Sequence, residues 1–428
     1  MELPRGWLNC RLDDVNLVIA GQSPESKYYN ETGDGLPFFQ GKADFGQLYP
    51  TNRVYCTSPK KLAENGDILL SVRAPVGPTN LARETIAIGR GLNAIRPLGG
   101  ISTRFILYYF KQIEPVFSGK GTGTTFSAVT VDDVKSLSFF LPPLAEQHRI
   151  VAKIDALFSK LDKGVETLQT LRRQLRTYRQ AVLKWAFERK EWERKPFAEI
   201  ANSRLGKMLD KQKNTGNFHP YLRNINVRWF SFDCDDMLEM KIEDAQLERY
   251  QVTHGDLLIC EGGEPGRCAI WKANYNIAFQ KALHRVRVAS DMTSEFLMYF
   301  IAYISATGEI KRYFTGTGIA HLTGESLKKI PVPVPSIDEQ NHIVAEMESR
   351  LSVCDKLEAL VDENLAKSEA LRQSILKKAF VGQLVTQDPD DEHADKLLER
   401  IKAERAKMAI KPKPTRRKKN GRFESRGV

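Results

Sequence analysis

The sequence predicts an α+β protein: two mixed α/β domains separated by two long antiparallel coiled-coil helices, a pseudo-twofold tandem repeat. Three observations predict it. A shift of 193 residues lays Leu141 to Phe187 on Val334 to Phe380 without a gap, and fifteen of the 47 paired positions are identical. A repeat of so long a period means that one whole structural plan occurs twice. Within the matched segments apolar residues recur every 3.5 positions on average, which is the coiled-coil period and not the globular 3.6. Upstream of each segment, short β-branched or aromatic runs are broken by Gly, Pro and Asn every eight to twelve residues, the mark of strands joined by turns.

Taken in order, Met1 to Pro143 forms the first mixed domain. Its runs Asp67 to Val72 and Asn93 to Arg96 read as strands, and a helix is expected near Ser102 to Ile113. The first rod, within residues 144–190, carries its stripe at Ile150, Ile154, Leu157, Leu161, Val165, Leu168, Leu171, Leu175, Tyr178, Val182 and Trp185. No proline interrupts Ala145 to Phe187, so the rod would be about 65 Å long. Residues 191–335 form the second mixed domain, with strands at Asp256 to Cys260 and His284 to Val288 and a helix at Ser294 to Thr307. The second rod, residues 336–385, opens on Ser336-Ile-Asp-Glu339, a capping box directly after a proline-rich stretch that no helix can continue. Ser368 interrupts its stripe. Rods of equal length, each joined through a globular domain, most simply pack antiparallel; the alternative is that each seeks a helix of another subunit. Residues 386–428 begin with a short helix within Asp391 to Ile410. They end in Lys411 to Val428, which holds eight basic residues, one acidic residue and two prolines and has almost nothing to bury.

The repeat continues more loosely upstream. Trp7 falls on Trp192, Gly66-Asp67-Ile68-Leu69 on Gly255-Asp256-Leu257-Leu258, and Gly123-Thr124 on Gly316-Thr317. Two copies are two samples of one ancestor: the similar rods meet a shared requirement, and the diverged domains are free to do different jobs. Loops on such domains are where recognition usually sits.

Composition narrows the function. The chain has 428 residues, 42% of them hydrophobic, which suits several folded domains. Its longest apolar runs, Phe105 to Phe110 and Phe296 to Ile304, fall well short of the ~20 residues of a membrane span. Met1 to Asp14 has no apolar core behind a basic start, so no secretion is expected. Six scattered cysteines without a C-x-x-C read as reduced thiols of a cytoplasm. The net charge of +11 points to a polyanionic partner, although Lys411 to Val428 supplies +7 of it (8 − 1) and the remainder +4 (56 − 52). Nucleotide-binding loops of the G-x-x-x-x-G-K-[ST] and G-x-G-x-x-G types are missing, and the seven histidines have no metal-ligand spacing. Glu239-Met-Lys241 is an E-x-K that a nuclease could use beside a metal-binding Asp.

Two diverged domains, each followed by a similar rod entered through L-P-P-L-A-E-Q (141 to 147) and V-P-S-I-D-E-Q (334 to 340), resemble one family. It is the DNA-specificity (S) subunit of type I restriction-modification enzymes. R-Q-x-[VI]-L-K-x-A-F closes both rods, at Arg179 to Phe187 and Arg372 to Phe380, and the resemblance covers essentially residues 1 to 385. It implies that each mixed domain is a target recognition domain reading one half of a bipartite, asymmetric site in double-stranded DNA. The helices would set the spacer and dock two methyltransferase (modification) subunits, and restriction/translocase subunits would join them. The chain itself would be non-catalytic and hold no cofactor or metal, with S-adenosylmethionine, ATP and Mg²⁺ in the partner subunits, in the cytoplasm of a prokaryote and away from any membrane.

Base edges are discriminated by Arg, Lys, Asn, Gln and Thr, with hydroxyls also reaching phosphate. The first domain offers Gln40, Lys42, Arg73, Arg90, Lys120, Thr122, Thr124 and Thr125, and the second offers Lys207, Arg223, Asn224, Lys281, His284, Arg312, Thr315, Thr317 and His321. Gly119 to Phe126 and Thr315 to Leu322 are the preferred loops, since glycine permits close backbone approach to phosphate. For the subunit interface the repeated positions are Glu146, Gln147, Ile150, Arg179 and Phe187, with Glu339, Gln340, Ile343, Arg372 and Phe380. Two other readings compete: a coiled-coil adaptor that reads no DNA, and a stand-alone nuclease using Glu239.

Overall fold

The computed structural model describes residues 3–117, 129–188, 191–210, 212, 214–316 and 318–410. The chain forms two units, Met1–Glu166 with Leu365–Val428, and Thr167–Asn364.

In the first unit a four-stranded antiparallel sheet has the order Asn16–Ala20, Leu92–Pro97, Ile68–Ser71, Thr79–Leu81. Ile68 to Ser71 is buried at every position, as expected of an inner strand covered on both faces. A second sheet runs Tyr29–Asn30, Tyr55–Cys56, Leu36–Phe39, Ile86–Ile88, Leu62–Ala63, with Leu36–Phe39 parallel to Ile86–Ile88. The helix Thr103–Phe117 buries six consecutive residues, Phe105 to Phe110. An element apolar all round must be enclosed, and what encloses it is the sheet on one side and the long helices on the other. Phe380, from the end of the second long helix (Ile337–Phe380), packs 5.0 Å from the Phe105 ring and edge-on 5.8 Å from Tyr109.

The first long helix, Leu144–Phe187, contributes residues 144–166 to this unit. There Arg372 pairs with Asp162 and lies 4.9 Å over the Phe158 ring, so the two helices run antiparallel. The C-terminal helix Ala394–Ile410 adds Ala394, Leu397 and Ile401 to the same core. It is tied down by Gly99 N–H to Glu404 at 3.3 Å, and Arg149 to Asp391 at 3.1 Å secures the turn before it. The basic stretch Lys411 to Val428 lies outside the described residues.

The second unit repeats the plan. Its antiparallel sheet has the order Ala201–Leu205, Leu283–Val288, Leu257–Cys260, Cys268–Ile270, strand for strand the order of the first. Asn217–Leu222 lies parallel to Ile277–Phe279, as Leu36–Phe39 does to Ile86–Ile88. The helix Ser294–Thr307 is capped by Thr293, ends at left-handed Gly308, and buries Phe296 to Ile304. Phe187 packs 5.3 Å from Phe296 and 5.7 Å from Phe300. Antiparallel pairing of residues 167–187 with residues 337–364 is marked by Arg172 to Asp362 at 2.9 Å and Arg179 to Glu358 at 3.1 Å. The second long helix starts after Ser336, whose hydroxyl accepts the Glu339 N–H at 3.3 Å, and continues through Ser368.

One device recurs in both sheets. Gly66 and Gly255 hold φ of 88° in the turn before the inner strand, a conformation that favours glycine. The aspartate that follows turns inward, 2% exposed at Asp67 and 4% at Asp256. Each is clasped by a bidentate arginine from the neighbouring strand: Arg96 to Asp67 at 2.8 Å twice, Arg287 to Asp256 at 2.6 and 3.0 Å.

The units differ where the sequence diverged. The second carries a hairpin, Val227–Arg228 with Ser231–Phe232, whose Phe230 has φ of 65° and packs 5.2 Å from Tyr299. Beside Asn217–Leu222 it carries the five-residue strand Leu238–Ile242, where the first unit has only the two-residue Tyr55–Cys56 beside Leu36–Phe39.

Candidate nucleic-acid interface

Both units gather loops at one edge of the paired sheets by the same backbone bonds. In the first, Gln22 N–H donates to Ile88 O at 2.9 Å, Gly89 N–H to Phe39 O at 2.8 Å, Val72 N–H to Gly91 O at 2.9 Å and Val129 N–H to Val72 O at 3.0 Å. In the second, Lys207 N–H donates to Phe279 O at 3.0 Å, Gln280 N–H to Leu222 O at 3.0 Å, Glu261 N–H to Ala282 O at 2.9 Å and Leu322 N–H to Glu261 O at 2.7 Å. The scaffold is the same, bond for bond. Glycine secures the closest approach in each: a Cβ on Gly21 would fall 2.1 Å from Gly89 O, and one on Gly206 2.3 Å from Phe279 O.

The side chains on this scaffold differ. In the first unit Gln40, Arg73 and Arg90 are brought together on the edge and exposed, with Lys42 exposed in the turn just beyond Gln40. Arg90 is fixed through its backbone, its N–H donating to Ser23 Oγ at 3.2 Å, which leaves the guanidinium free to reach outward. Lys120, Thr122, Thr124 and Thr125 lie outside the described residues; Val129, the first described residue after them, sits on this edge. In the second unit Lys281 occupies the position matching Arg90 and is exposed. Asn224 donates to Gly262 O at 3.4 Å, while Thr315 and His321 close an exposed loop by reciprocal backbone bonds of 2.8 and 2.9 Å. Arg312 is exposed in the turn Glu309–Tyr313, and Thr317 lies outside the described residues.

Three expectations are corrected, two by burial and one by an ion pair within the unit. His284 is not on a loop: it is 1% exposed, and its Nε2 donates to Leu322 O at 2.8 Å, so no base can reach it. Burial pushes its imidazole below the ordinary histidine value, which keeps it neutral. Lys207 is buried with its ammonium donating to Glu243 at 2.6 Å and Gln246 at 2.9 Å, and the first of these bonds holds the Glu243 carboxyl down at about 2. Arg223 is turned onto Asp236, at 2.8 Å to its carboxylate and 2.6 Å to its carbonyl. His284 and Lys207 hold the edge in shape from inside, and Arg223 braces it through Asp236.

The repeated positions on the rods are also engaged within the chain. Glu146 accepts the Trp7 indole N–H at 2.9 Å and Gln147 donates to Pro142 O at 3.0 Å, while Ile150 and Ile343 are core residues. Glu339 accepts from Trp192 at 3.1 Å, and Gln340 donates to Asp291 O and Pro335 O, both at 2.9 Å. Arg179, Arg372, Phe187 and Phe380 make the pairings already described. Left outward at matching repeat positions are Tyr178 and Leu371, 46% and 49% exposed.

Glu239 and Lys241 of the E-x-K lie in the strand Leu238–Ile242, with Lys241 5.3 Å over the Phe218 ring. Among the described residues no group of three or more His, Cys, Asp or Glu is placed to hold a metal ion, and no helix is long and apolar enough to cross a membrane.

Sequence reasoning missed Gln22, exposed on the first edge, and Met208, Leu209, Ile225 and Ile319, exposed on the second. The repeated glycines at 21 and 206 were a signal for the first. Nothing polar marks the apolar four.

The model of the type I restriction modification DNA specificity domain matches the chain twice, over residues 4–171 and 189–365. The chain belongs to this family. The two matches begin with the two structural repeats and end within their long helices. Among curated specificity subunits, that of type I restriction enzyme EcoKI from Escherichia coli K12 is 28% identical over 95% of this chain and 97% of its own length. The EcoBI subunit of Escherichia coli is 29% identical over 94% and 92%. A putative MjaX specificity subunit from Methanocaldococcus jannaschii reaches 41% identity over 36% of this chain and 37% of its own. A chain solved in work on complex assembly and conformational transition of the type I R-M system shares the fold with a TM-score of 0.74, at 20% identity over 90% of this chain and all of its own. The HsdS subunit from Thermoanaerobacter tengcongensis gives 0.52, also at 20% identity. The chain is thus a type I specificity subunit, a sequence-specific DNA-binding component with two tandem recognition domains.

Proposed function

We propose that the two loop-bearing edges each read one half of a bipartite, asymmetric DNA site, and that the antiparallel helices fix the number of unread base pairs between the halves. The observation that carries this is the shared scaffold with unlike side chains: one edge exposes Gln40 and Arg90, and the other exposes Lys281 at the match of Arg90 but turns Arg223, the match of Gln40, onto Asp236. A common frame keeps the docking geometry, and different side chains read different bases. Arg90 suits guanine and Gln40 suits adenine by their bidentate donor and acceptor patterns.

Two modification subunits dock on the paired helices, one per unit, with Tyr178 and Leu371 as matching apolar contacts. Restriction/translocase subunits join through them. The chain does no chemistry of its own; S-adenosylmethionine, ATP and Mg²⁺ act in the partners, inside a prokaryotic cytoplasm.

The test is binding of the assembled complex to duplexes with one half scrambled. Scrambling either half is expected to weaken binding by about 10³-fold or more at physiological salt. Equal binding to all duplexes would leave an adaptor that reads no DNA, and Mg²⁺-dependent cleavage by the isolated chain would favour the nuclease reading.

A further inference from the structure

The two edges differ in one more respect. On the second unit, three neighbouring loops present large apolar side chains to solvent: Met208 is 62% exposed, Ile225 49% and Ile319 71%. These loops adjoin through Lys281 N–H to Lys207 O at 2.9 Å, Gln280 N–H to Leu222 O at 3.0 Å, and the imidazole of His321, whose Nδ1 lies 3.1 Å from where a Gly262 Cβ would sit. At the matching positions of the first unit stand Ser23 and Lys42, and the match to Ile319 lies outside the described residues. Such exposure costs solvation free energy in the free chain and calls for an apolar partner in the bound one.

We infer that this edge reads the C5-methyl groups of thymine in the major groove, with Met208, Ile225 and Ile319 as its specificity-determining residues. The inference rests on the DNA-reading role of the edge proposed above. The occupant follows from what surrounds the patch. Lys281 and Arg312 flank it, both exposed and neither in an ion pair with a described residue, which suits phosphates on either side. Asn224 and His321 lie within the patch and supply polar contacts to base edges. The likeness of this edge to the other reading edge, with those two cations beside the apolar tips, favours DNA over a protein as the occupant. In the major groove only thymine, among the unmodified bases, offers a methyl group.

The measurement is binding of the assembled complex to its own site with deoxyuridine replacing thymine, one half at a time. Deoxyuridine keeps every hydrogen bond and removes only the methyl. In the half read by residues 191–335, each contacted methyl removed is expected to weaken binding about four-fold. In the variant Met208→Ser with Ile225→Ser and Ile319→Ser that penalty disappears, while discrimination against a scrambled half read by residues 1–143 stays intact and reports a folded complex. A half-site without thymine on either strand, or full affinity for the deoxyuridine duplex while scrambling that half still weakens binding, overturns the inference alone. Indifference to scrambling overturns the DNA-reading role itself.

Discussion

Trp7 donates its indole N–H to Glu146 across 2.9 Å, tying the start of the first recognition domain to the first turn of the first long helix. Trp192 and Glu339 repeat the bond at 3.1 Å. This explains the repeated E-Q at each helix entrance: the glutamate anchors the domain's own first aromatic residue, and the glutamine caps the proline-rich approach through Pro142 O and Pro335 O. Position and orientation of a recognition domain on its helix are set here.

Replacing Glu146 with Ala leaves the Trp7 N–H buried without an acceptor. A loss of about 1–3 kcal/mol in denaturant unfolding is expected. Burial also pushes the Glu146 carboxyl above its ordinary value. The folded chain then binds the proton more tightly than the unfolded one, so this group's contribution falls as pH rises from the unfolded value through the folded one. Glu146→Gln should flatten that part of the stability profile.

The clasp of Arg96 on Asp67 and of Arg287 on Asp256 holds the turn before each inner strand. Asp67→Ala leaves Arg96 with only the exposed Glu64 carboxylate at 2.9 Å and removes the acceptor of the Glu64 N–H, so about 3 kcal/mol should be lost. Asp256→Ala should cost less, because the Arg287 side chain is 50% exposed where Arg96 is 27% and solvent compensates it better. Thermal unfolding of the two variants ranks them.

In the second unit Arg179 reaches both Asp355 and Glu358 on the antiparallel helix. A double-mutant cycle of Arg179→Ala with Glu358→Ala should give a coupling of about 1 kcal/mol, falling with added salt as a half-exposed pair must. Additive single effects would deny that the pair aligns the helices.

His284 titrates against the fold. Its folded value is depressed by burial, so as pH falls through the ordinary range near 6.5 the unfolded chain takes up the proton first and stability is lost. Asn93 stands at the matching strand position of the first unit and is also buried. His284→Asn is therefore expected to remove the acid limb of the melting-temperature profile between about pH 5 and 7 without altering the DNA half-site.

Much of this architecture is legible in the sequence. Helix limits followed from proline and capping chemistry, as at Ser336, and the duplication follows from residues such as Asp162 and Asp355 that serve the same pairing twice. What escaped was long-range and polar. Neither the bond from Trp7 to Glu146, 139 positions apart, nor the clasp of Arg96 on Asp67 leaves a local pattern. The docking of Leu397 and Ile401 into the first unit's core was hidden because two apolar residues among charges look like a solvated helix. His284 was misjudged for a related reason. It opens a β-run, and an inner strand covered on both faces gives no alternation to show which way a polar residue points. The recognition loops are the least legible part, since their side chains answer to DNA and not to the fold.

The central claim is that two independent readers share one frame. Replacing residues 1–143 with the recognition domain of a relative, and mapping the methylated sequence across the genome of cells carrying the system, tests it most directly. One half of the site should change, while the other half and the spacer stay as they were. A change in both halves, or in neither, would contradict it.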